Sequence, residues 1–140
     1  MLSQTEKGKR HPHQFRIPGV ALRRALEKLH SLRLDRAKNF DDLLQLIDGA
    51  IRDIPRIGEL VVYDVAHRLG AARNIEPDRV YLHAGTREGA RALGLRGYVV
   101  RVDDLPQAFR RLTPAECEDC LCIYARALKR IAQRAIDEVA

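Results

Sequence analysis

The chain has 140 residues, 46% of them apolar, with a net charge of +6 and three cysteines. That length suits one ordinary domain with its own core, and no apolar run approaches the roughly 20 residues of a membrane span. The N-terminus lacks the apolar core of a secretory signal. Cys117, Cys120 and Cys122 are odd in number and crowded, unlike a secreted disulfide framework, so a cytoplasmic protein is expected.

Residues 1–16 show no periodicity and read as a flexible basic arm. Nine Lys and Arg against three acids fall within residues 1–36, which accounts for the whole excess charge. Such a segment attracts polyanions, and its surplus of Arg over Lys suits bidentate phosphate contacts. A merely solvated tail is the plain alternative.

From residue 17 onward the pattern predicts a single all-α domain, a compact bundle of about six to seven helices. Pro18 opens the first, with Leu22, Ala25, Leu26 and Leu29 on one face. Asn39 caps the second, whose stripe runs Phe40, Leu43, Leu44, Ile47, Ile51 and Ile54 until Pro55 ends it. A third helix follows over about 59–69, with Gly70 placed as its cap. Pro77 predicts a short helix through Val80 and Leu82, and Thr86 caps the next, which Gly94 and Gly97 end. Tyr98 to Val102 is β-like but has no evident partner strand, so it reads as extended loop. Asp103 or Asp104 caps a short helix through Phe109 and Leu112. Thr113-Pro114-Ala115-Glu116 is a capping box, opening one long C-terminal helix with Cys117, Leu121, Tyr124, Leu128, Ile131, Ala135 and Val139 on a face.

Ile54-Pro55-Arg56-Ile57-Gly58, followed by Val62 and Val65, resembles the helix-hairpin-helix motif of DNA-repair and replication proteins. Arg56 stands where that family has its first glycine, and Val62 where it prefers alanine. A 27-residue shift lays Leu82-His83-Ala84-Gly85 on the same turn, a degenerate second hairpin within a region of about 47–95. The resemblance implies non-specific binding of duplex DNA through phosphates by Arg56, Ile57, Gly58, Gly85, Thr86 and Arg87. The physical basis is general: a short turn at a helix N-terminus presents unpaired N–H groups and a positive dipole end to an anion. Glu59 opposes this, and a plain structural corner is the competing reading. The whole chain also resembles an uncharacterised small bacterial protein family.

No catalytic set or cofactor is expected. Tyr63, Asp64 and His67 share a helix face and, with His83, could form an acid–base cluster; a satisfied polar network is the better account, since no nucleophile or metal set accompanies them. Cys117, Cys120 and Cys122 lack a fourth ligand for zinc, and packing accounts for them better. His11-Pro12-His13 is also weak as a metal site. Two further readings stand beside the DNA module: a protein-interaction domain, including a homo-oligomer, and a small enzyme built on the Tyr/Asp/His cluster.

Overall fold

The computed structural model describes residues 16–139. Of the arm read over residues 1–16, only Arg16 falls among them, so the arm and the His11-Pro12-His13 pair lie outside the described residues. The described chain is mostly helical, as the apolar periodicity predicts. It divides into two compact units, one up to Glu76 and the other from Pro77.

In the first unit α1 spans Gly19–His30, α2 Phe40–Ile51 and α3 Glu59–Ala71. Pro18 sits just outside α1 with extended ψ, and its carbonyl accepts the amides of Ala21 and Leu22 at 3.0 and 3.2 Å. Asn39 caps α2 by accepting the Asp42 amide at 2.9 Å, and the Asp42 carboxylate in turn accepts the Lys38 amide at 3.0 Å. The α2 stripe is fully buried at Phe40, Leu43, Ile47 and Ile51, each contributing roughly 2 kcal/mol of hydrophobic stabilisation. Val62, Tyr63, Ala66 and Gly70 form the buried face of α3.

Gly70 does not act as a left-handed cap. The helix runs through it to Ala71, and a Cβ there would lie 2.3 Å from the Ile75 carbonyl oxygen. Its lack of a side chain lets the returning chain pass. The left-handed residue is Asn74 at φ 57°, and the Ile75 amide closes back on Gly70 O at 2.9 Å, a Schellman-type ending.

The second unit holds β1, Val80–Tyr81; α4, Ala84–Ala92; β2, Val99–Val100; α5, Pro114–Ile123; and α6, Ala125–Val139. Three sequence expectations change here. The short helix predicted from Pro77 is instead a bend at residues 78–79 that leads into β1. The β-like run from Tyr98 does have a partner: Val80 pairs with Val100 and Tyr81 with Val99, antiparallel. Short apolar runs do not reveal their period, and the valines favour the pleated form. Finally, residues 102–109 make two 3-10 turns, Val102–Asp104 and Gln107–Phe109, rather than one helix; Pro106 separates them.

The Thr113–Glu116 box forms as read, with Glu116 accepting the Thr113 amide at 2.7 Å and Thr113 accepting the Glu116 amide at 3.3 Å. The long C-terminal helix is broken once, at Tyr124 (φ −97°, ψ 11°), into α5 and α6, both of which contact α4. Val80, Leu82, Ala90, Val100, Leu105, Cys117 and Leu121 make the core of this unit. Gly89 allows α4 to touch α5, since a Cβ there would lie 2.1 Å from the Leu121 carbonyl oxygen. No helix among the described residues is long and apolar enough to cross a membrane.

Candidate nucleic-acid interface

The turn between α2 and α3 is built from its apolar residues outward. Ile54 and Ile57 are 2% and 5% exposed and anchor the turn in the core of the first unit. Between them the Ile57 amide donates to Ile54 O at 3.0 Å, with Pro55 in the second position and Arg56 in the third at φ 73°. This is the signature of a type II β-turn, which asks for a left-handed residue, usually glycine, at its third position. Arg56 therefore adopts a conformation that suits glycine, at a cost of about 1 kcal/mol.

Gly58 follows as the N-cap of α3 in extended conformation. No side chain caps the helix, and a Cβ on Gly58 would meet nothing within 4 Å. The backbone at the mouth of α3 is open to an approaching group, and no backbone carbonyl among the described residues takes the amides of Gly58 or Leu60.

The acids beside the turn carry basic partners. Glu59 lies 4.0 Å from Arg52. Asp53 receives Lys28 at 2.8 Å, and that ammonium holds its carboxyl below the ordinary range. Arg56 has no carboxylate partner among the described residues, so the lip of α3 is net positive.

The proposed second hairpin is built differently. Strand β1, not a helix, precedes α4, and the N-cap is His83, which places Gly85 inside the first helical turn. The 27-residue shift superposes the glycines but not the helix starts. A Cβ on Gly85 would lie 3.0 Å from Cys122 Sγ, so this glycine serves close packing. Thr86 is completely buried and donates its hydroxyl to Glu118 Oε1 at 2.9 Å. Its side chain is turned away from solvent and drops out of the candidate surface.

His83, also buried, sets its Nε2 against Glu118 Oε1 and 3.0 Å from Thr86 Oγ1. These three side chains satisfy one another and tie the start of α4 to α5, as buried polar groups require. The other members of the suggested acid–base cluster make their contacts within the first unit. Tyr63 is buried edge-on to Phe40 at 5.8 Å and stacks on His67 at 5.9 Å. Asp64 accepts Arg68 Nε at 3.0 Å rather than serving His67.

Arg87 remains on the surface of the second unit. Its Nη1 donates to Leu82 O at 2.7 Å, and its guanidinium lies over the Tyr98 ring at 5.3 Å. It lines a cleft of about 110 Å³ with Leu82, Arg91, Arg96 and Gly97. Arg96 and Tyr98 are not among the residues that the sequence singles out as a site. The signal was present: Gly94 at φ 78° closes a Schellman ending, with the Leu95 amide on Ala90 O at 2.9 Å, and that turn brings Arg96 back beside α4.

The cysteines are free thiols. Cys117 is fully buried, with Sγ 3.7 Å from Phe109 O, and burial, helped by Cys120 and Glu116, pushes its pKa up to about 11. Burial also raises the Cys122 thiol.

No protein-family model, curated protein or solved structure matches this chain. The functional reading therefore rests on its own residues.

Proposed function

We propose that the chain is a helix-hairpin-helix-like module that binds the backbone of duplex DNA without sequence preference. The observation that carries this is Arg56, held left-handed at the lip of the uncapped α3 N-terminus beside open Gly58. A phosphate oxygen there meets backbone N–H groups, the positive end of the helix dipole and one guanidinium. Ile57 positions the turn from beneath. Contacts of this kind fix the duplex but read no bases. Three free thiols fit a cytoplasmic setting, and the basic N-terminal segment adds unspecific attraction.

Fluorescence anisotropy with a random-sequence duplex, at low and then moderate salt, tests the reading. Binding abolished in Arg56→Glu but only weakened on removal of residues 1–16 locates the DNA at the turn. Binding abolished only with the arm removed reduces it to polyanion attraction.

A second reading, self-association, is favoured by α6. Ile131, Ile136 and Val139 are 64%, 63% and 89% exposed, an apolar stripe that α4 leaves uncovered. An antiparallel copy in one register sets Ile131 on Ile136, Ala132 on Ala135 and Arg130 on Asp137. A concentration-dependent mass in sedimentation, abolished by Ile131→Asp, supports it; a monomer at all concentrations rejects it.

A further inference from the structure

We infer that Lys28 of α1 is a positioning residue for the DNA contact at the hairpin turn: it covers the Asp53 carboxylate, which would otherwise repel the phosphate held at Arg56. This rests on the DNA-backbone reading and names how charge at that same site is regulated.

Asp53 belongs to the turn segment itself. The Ile54 amide donates to Ile51 O at 3.1 Å and the Ile57 amide to Ile54 O at 3.0 Å, so two successive turns fold residues 51–57 tightly. Asp53 stands three residues before Arg56, which keeps their Cα atoms within about 11 Å even in extended chain. That is about one Debye length at 0.1 M salt. A bare carboxylate at this place acts on a phosphate at the lip of α3, and the two negative charges repel.

The cation that answers Asp53 comes from 25 residues away. Lys28 Nζ donates to both carboxylate oxygens at 2.8 Å. This bond, with a weaker pull from Arg24 one turn earlier on α1, holds the carboxyl below its ordinary range. Asp53 is therefore charged near neutral pH, and Lys28 is committed to it. Glu59, the other acid at the lip, is met in the same way by Arg52 at 4.0 Å, which leaves the charge of Arg56 to the phosphate. As a staple the Lys28–Asp53 bridge adds little. Its side chains are 35% and 58% exposed, and exposed pairs exchange one hydrated state for another of similar energy. Its larger effect is on the local field, where it cancels a negative charge beside the DNA contact.

The test is a double-substitution cycle, read by fluorescence anisotropy on one random-sequence duplex over a series of salt concentrations. The variants are Lys28→Gln, Asp53→Asn, the two combined, and Arg56→Glu. All are expected to fold, as urea denaturation checks. Lys28→Gln is expected to weaken binding about threefold with an unchanged salt slope, because Lys28 neutralises no phosphate of its own. Asp53→Asn is expected to bind as tightly as wild type or up to about threefold tighter. The combined variant is expected to match Asp53→Asn, because Lys28 has nothing left to cover. Three results overturn the inference. The first is Lys28→Gln binding like wild type. The second is a Lys28→Gln loss that persists undiminished on the Asp53→Asn background with a slope shallower by about 0.9, which makes Lys28 a phosphate contact in its own right. The third is equal losses in Lys28→Gln and Asp53→Asn, which reduce the bridge to a staple between α1 and the turn. Affinity left intact by Arg56→Glu overturns the hairpin reading itself, whereas a loss in Arg56→Glu with no effect of Lys28→Gln overturns this inference alone.

Discussion

Arg56 carries a conformational cost at the position where it would touch DNA, a pattern found where function outweighs local stability. Arg56→Gly removes the left-handed strain but adds freedom to the unfolded chain, so it is expected to stabilise the protein by up to about 1 kcal/mol in urea denaturation while weakening duplex binding. Glu118 is the opposite case. Glu118→Ala leaves the Thr86 hydroxyl and the His83 ring buried without their shared acceptor, and a loss of about 3 kcal/mol is expected. Cys117 gives a pH signature. Its folded thiol keeps the proton up to about 11, whereas an ordinary thiol releases it near 9.0. Between those values the folded state binds more protons than the unfolded one, so stability falls as pH rises through that window. Denaturation midpoints across the window are expected to show the slope in wild type and a shallower one in Cys117→Ala, the raised Cys122 thiol keeping its share. The left-handed Arg56 could be read only through the motif's missing glycine. The His83–Thr86–Glu118 set was not legible, because its members lie up to 35 residues apart and no local pattern joins them.

At the scale of elements, capping chemistry was the most legible feature. Asn39 and the Thr113–Glu116 box act as their residue types require, and Thr113→Ala is expected to cost about 1 kcal/mol in denaturation. The stripe of α2 was equally clear because each of its positions faces one core. The glycines were harder, since the same residue serves turns, caps and close approaches. Gly70 and Gly89 are close approaches, with backbone carbonyl oxygens at 2.3 and 2.1 Å from a hypothetical Cβ. Backbone cannot yield as a side-chain tip does, so Gly89→Ala is expected to destabilise by about 1–3 kcal/mol, measured by thermal melting. The β1–β2 pairing escaped the sequence because two residues per strand are too few to show alternation. The break at Tyr124 has neither proline nor glycine to mark it.

For the whole molecule, the charge pattern separates two kinds of attraction. The excess of +6 resides in the first 36 residues, a diffuse field that acts on any polyanion. In the proposed function the turn at Arg56 is a local contact inside a body of balanced charge. Their salt dependence differs accordingly, since each phosphate neutralised contributes about 0.9 to the slope of log affinity against log salt. The most direct measurement is that slope for wild type and Arg56→Gln on one random-sequence duplex. The expected result is weaker binding by Arg56→Gln with a slope shallower by about 0.9, the share of a single phosphate. Identical slopes and affinities would contradict the assignment of the hairpin turn to the DNA backbone.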